Sequence, residues 1–162
     1  MVDAYQDITI PFQMSSIEFF TLVKDHLKDD GVMVVNMNMK SNAEGGINDY
    51  LSDTICQVFS ESYYADTSAL GNREFFASNN PEILDVFAKN IEMEEDESLL
   101  FMMNRVSDRL TDYEAGDLVM TDDKAPVELL GMKVIDEIIQ TELAYYKGVF
   151  KEGGIKAVME NL

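Results

Sequence analysis

The chain has 162 residues, enough for one domain with a sizeable core, and its 46% hydrophobic and 27% charged content is that of a folded globular protein. A single cysteine excludes a disulfide framework or a multi-thiolate zinc site, and no apolar run reaches the length of a bilayer. The net charge of −19 repels nucleic-acid phosphates and anionic lipid, which argues against both as partners but admits a cationic one.

Met1-Val2 followed by Asp3 reads as the apolar end of a buried parallel strand whose start is missing. Ser15 and Glu18 have capping-box spacing, and Ile17, Phe20, Leu22, Val23 and Leu27 form the stripe of a first helix. Gly31 is the expected left-handed stop. Residues 32–39, VMVVNMNM, are apolar on both faces in their first half, as in a central strand. Strand, helix, strand in this order predicts a right-handed crossover in a parallel sheet.

After a loop from Ser41 to Asn48, whose glycines lack phosphate-loop spacing, Asp49 to Phe59 is predicted helical. Tyr63–Thr67 and Arg73–Ser78 flank Gly71-Asn72 as an antiparallel hairpin. Pro81 opens a helix through Lys89, the acids of 92–97 lead into another over Ser98–Leu110, and Pro126 starts the longest, to about Tyr146. His26 lacks a second ligand at helical spacing, Cys56 sits between apolar neighbours, and the methionines follow strand or core positions, so no metal site is expected.

Three stretches carry a resemblance. Asp3-Ala4-Tyr5, Ile10-Pro11-Phe12, Glu18-Phe19-Phe20 and Leu27 with Gly31–Asn36 are one. Gly71 through Ser78 is the second, and Thr121-Asp122-Asp123-Lys124-Ala125-Pro126-Val127-Glu128 the third. In this order they resemble the spermidine synthase family. The resemblance implies an α/β domain: the C-terminal half of a Rossmann-like, class I methyltransferase-type fold, with parallel strands plus a terminal antiparallel pair. Residues 1–162 would then be one partial domain lacking the donor-binding half, so that the chain alone is expected to be inactive.

The implied parent activity is transfer of an aminopropyl group from decarboxylated S-adenosylmethionine to putrescine. Asp3 matches the catalytic aspartate, a carboxylate that holds the amine and accepts its proton, with Tyr5, Gln6 and Asp7 at the pocket wall. Gln6 replaces the family's second aspartate, with Asp7 one place further on, and Thr67–Leu70 stand where a pocket tyrosine is expected. These departures leave open a methyltransferase with another acceptor. A non-catalytic association subunit is the other alternative. An open strand edge at the start of the chain further predicts a homo-oligomer or a separate N-terminal partner. A cytoplasmic location is the default expectation.

Overall fold

The computed structural model describes residues 1–3, 10–38, 44–67 and 71–161. Four strands, β1 (Val32–Asn38), β2 (Glu61–Thr67), β3 (Asn72–Ser78) and β4 (Thr111–Asp112), form one sheet in the order β1-β3-β2-β4. All named pairs are antiparallel. Val32 lies opposite Ser78 and Asn38 opposite Asn72, while Glu61 to Thr67 run against Ser78 to Asn72. The β2–β3 hairpin is as the sequence predicts, and Gly71 at its turn has φ 65°, a region that strains residues bearing Cβ.

The four named strands thus form an antiparallel sheet among the described residues, and the wider parallel sheet expected is not seen there. The predicted parallel pairing of the Val2 strand end with β1 is present as one bridge, Val2 with Val35, in which the Val2 amide donates to Val34 O at 2.7 Å and the Asn36 amide to Val2 O at 3.1 Å. Strand β4 was not foreseen, because two exposed polar residues, Thr111 and Asp112, give no apolar alternation to detect.

Five helices cover the sheet: α1 (Ile17–His26), α2 (Ile47–Cys56), α3 (Ile83–Met93), α4 (Glu97–Ser107) and α5 (Val127–Glu160). The strand period of two sends Met33, Val35, Met37, Phe75 and Ala77 to one face, all buried with Phe20 of α1, Leu51 and Ile55 of α2, and Val127, Leu130 and Val134 of α5. On the other face Val32, Val34, Phe76 and Tyr63 line a cavity of 390 Å³ with Ile83, Leu84 and Phe87 of α3 and Val106 of α4. The sheet thus has helices on both sides.

Several local expectations are corrected. The cap of α1 is Ser16, whose hydroxyl accepts from the Phe19 amide at 3.2 Å; Ser15 instead donates to Phe12 O at 2.7 Å and closes a 3-10 turn over Phe12–Met14. Gly31 is not left-handed. It is needed for close approach, since a Cβ there would lie 2.9 Å from Lys28 O. Helix α3 starts at Ile83, after the turn that Pro81 begins, rather than at Pro81.

Helix α5 runs beyond Tyr146 to Glu160, with a break at Gly154, where φ is 66°. Past the break the chain doubles back, so that the Tyr146 hydroxyl donates to Asn161 O at 3.1 Å. The acidic stretch before α4 behaves as a solvated helix start. Asp96 accepts from the Ser98 and Leu99 amides, and Glu94 from those of Glu95 and Asp96. No helix among the described residues is long and apolar enough to cross a membrane.

Candidate functional site

Strand alternation puts Asn36 of β1 on the same face as Val32 and Val34, and register sets it opposite Glu74 of β3. Polar groups so gather where the apolar strands end. Asp3, just past the Val2 bridge, is exposed, and its Oδ1 accepts from Asn36 Nδ2 at 3.1 Å. Asn36 Oδ1 in turn accepts from Asn72 Nδ2 at 3.0 Å. Asn36, bonded on both sides, has its amide orientation fixed and holds one carboxylate oxygen of Asp3 in place.

Glu74 completes the cluster. Burial and then the charge of Asp3 push its carboxyl above the ordinary glutamate range, and its Oε2 is buried without a hydrogen-bond partner among the described residues. The same side chain lines a 220 Å³ cleft with Thr67, Phe76, Phe101, Met102 and Arg105. A pair of carboxyl groups at a sheet end beside a cleft with apolar walls is suited to a cation with a hydrocarbon body.

Of the residues singled out from the sequence, Asp3 is thus at the cluster, whereas Tyr5, Gln6 and Asp7 lie outside the described residues. Asn36, Asn72 and Glu74 were missed. The sequence shows only a polar residue in an otherwise apolar strand; its pairing with Glu74 comes from the β1–β3 register. Among the described residues no group of three or more histidine, cysteine, aspartate or glutamate side chains could hold a metal ion. His26 instead has Nδ1 2.7 Å from Leu22 O, one helical turn back. Cys56 is partly buried against the core, and burial raises its thiol pKa.

The Thr121–Glu128 stretch ties two helices together. Asp122 accepts, through its carboxylate, from the Ser16 hydroxyl at the cap of α1. Its amide donates to Glu18 Oε2 at 3.0 Å, and the Ile17 amide donates to Met120 O at 2.9 Å. A Thr121–Lys124 bridge folds the segment into a tight turn. These bonds pin α1 to the segment that leads into α5.

What these features define is an α/β domain with an acidic, amide-braced site at one end of an antiparallel sheet. The chain is similar to a probable polyamine aminopropyl transferase of Bifidobacterium longum (strain NCC 2705), with 43% identity over 176 aligned positions. The match takes in 98% of this chain and 40% of that protein, so the chain spans about two-fifths of the length of its curated relative. The resemblance to the spermidine synthase family is thereby shown, for the part of such a protein that this chain spans. No family model matches.

Proposed function

We propose that the chain is the acceptor-side portion of a spermidine-synthase-like aminopropyl transferase, with Asp3 as the group that orients and deprotonates the amine. The observation that carries this reading is the Asp3–Asn36–Asn72 chain of hydrogen bonds at the sheet end, in a chain 43% identical to a probable polyamine aminopropyl transferase. The Val2–Val35 bridge supports reading the sheet as the antiparallel end of a wider, partly parallel sheet of methyltransferase type.

In the proposed reaction the free amine nitrogen of putrescine attacks the sulfur-bound carbon of the aminopropyl chain on decarboxylated S-adenosylmethionine. The carbon–sulfur bond breaks, the neutral thioether leaves, and the proton lost by nitrogen passes to the Asp3 carboxylate. The donor would be held by the remainder of such a protein, and this chain alone would not turn over. Glu74 would face the cationic diamine. A nearby positive charge would favour its ionised form and offset the repulsion between its carboxylate and that of Asp3.

The test is a chimera in which this chain replaces the matching part of the Bifidobacterium longum relative. Aminopropyl transfer that falls by about 100-fold or more on Asp3→Asn supports the assignment, in keeping with the loss of a general base. An unchanged rate removes Asp3 from catalysis. Calorimetric titration of the chain alone with putrescine gives an independent reading. Weak binding that both Asp3→Asn and Glu74→Gln diminish is expected, and binding indifferent to both would sink the amine site.

A further inference from the structure

Helix α5 carries two apolar stripes. Val127, Leu130 and Val134 face the core, and Ile138 packs against it. At 3.6 residues per turn, Met132, Ile135, Ile139, Leu143 and Phe150 fall within an arc of about 80°, centred about 130° away from the core stripe. All five are exposed, from 43% to 62%. The helix is unbroken across them, and they extend over about 27 Å of its length. An apolar stripe of this length, straight and solvent-facing, marks an interaction surface.

Charge says what fits it. From 127 to 143 the helix carries four carboxylates and one lysine, whereas from 144 to 157 it carries three lysines and one carboxylate. This basic stretch is an exception in a chain of net charge −19. Two copies of α5 laid antiparallel about a two-fold axis near residue 141 bring the acidic half of each against the basic half of the other. Met132 then stands opposite Phe150 of the second copy, Ile139 opposite Leu143, and Asp136 opposite Lys147. Asp136 and Lys147 share one flank of the stripe, and in an antiparallel pair like flanks meet. A parallel pair would set acid against acid. We infer that α5 is a self-association surface through which two copies of this chain pair antiparallel, with the Met132–Phe150 stripe at its centre and Asp136–Lys147 pairs at its sides.

Sedimentation velocity over micromolar concentrations tests this on the chain as it stands. A concentration-dependent dimer is expected, and Ile139→Glu should weaken it by about tenfold or more with the circular dichroism spectrum unchanged. Leu143→Glu serves as a second probe should the first variant disturb helicity. Asp136→Lys and Lys147→Asp should each weaken the dimer by about threefold, and the doubly swapped chain should recover it. A wild-type chain that stays monomeric overturns the inference. So does a dimer indifferent to both glutamate substitutions, or one that the double swap fails to restore.

Discussion

Asp53 carries more of the architecture than any catalytic candidate does. It is 2% exposed, and its carboxylate accepts from the Tyr113 hydroxyl at 2.9 Å, the Gly116 amide at 2.8 Å and the Leu118 amide at 2.9 Å. Two backbone donors of the loop between β4 and α5 are thus satisfied by one side chain of α2. Asp53→Ala leaves a cavity in place of a buried carboxylate and these part-buried donors without their acceptor, and a loss of about 1–3 kcal/mol is expected from urea unfolding. Gly116→Ala is a gentler probe of the same place. Its Cβ would come 2.6 Å from Asp53 Oδ2, an oxygen that the bond from Leu118 holds in position, so a cost of about 1–3 kcal/mol is expected.

Glu74 gives a pH signature. Its folded-state pKa is raised, so between the unfolded value, about 4.3, and that higher value the native state binds more protons than the unfolded one. Stability must then fall as pH rises through this window. Glu74→Gln should flatten that fall and leave the chain relatively more stable at neutral pH, as read from thermal midpoints across the range. A variant whose pH profile matches the wild type would show that Glu74 is not desolvated.

At the scale of elements, the start of α1 is held by a cap with two functions. The Ser16 hydroxyl accepts from Phe19 and donates to Asp122, so Ser16→Ala removes a helix cap and a tertiary tie together. About 1–2 kcal/mol is expected in denaturant unfolding, at the upper end of the range for caps alone. Asp122→Asn, which keeps a carbonyl acceptor, should cost less.

These elements also mark what could be read from the sequence. The α1 stripe (except Leu22, which is 59% exposed), the β1 run and the β2–β3 hairpin were legible because each is defined by the spacing of near neighbours in the chain. The Ser16 cap was placed one residue early because Ser15 and Glu18 satisfy the same local pattern; only the distant Asp122 decides between the serines. Asp3 is singled out through its motif. Asn36 and Glu74, in contrast, acquire meaning from the β1–β3 register, which no local pattern contains. The antiparallel pairing of β1 with β3 was missed for a related reason: an apolar strand reads the same in either direction.

At the scale of the whole molecule, the burial of α5 is uneven. Val127, Leu130 and Val134 are buried, whereas Leu143, Phe150, Ile155 and Met159 are exposed by 47% to 72%. Hydrogen exchange should therefore show high amide protection over the first turns of α5 and a steep decline beyond Ile138 in the monomer, where no core contact supports the backbone. Uniform protection along α5 under dilute conditions would mean that the distal half is held by packing of its own. The break at Gly154 belongs to the same region: φ of 66° there lets the last turns fold back toward Tyr145 and Tyr146.

The bond between Ser16 and Asp122 joins residues 106 positions apart, and with it the third resemblance motif clasps the first. A closure of that span has consequences for the order of events during synthesis. A ribosome delivering this chain releases α1 long before Asp122 exists, so the helix must wait, its cap unsupported and Phe20 without the Met120–Val127 side of its core. The β2–β3 hairpin, contained within Glu61–Ser78, has no such delay. Closing the long loop late costs little more entropy than closing a shorter one, since that cost grows only with the logarithm of length. The nascent domain should thus emerge sheet first and be locked last, by the turn at Thr121–Lys124.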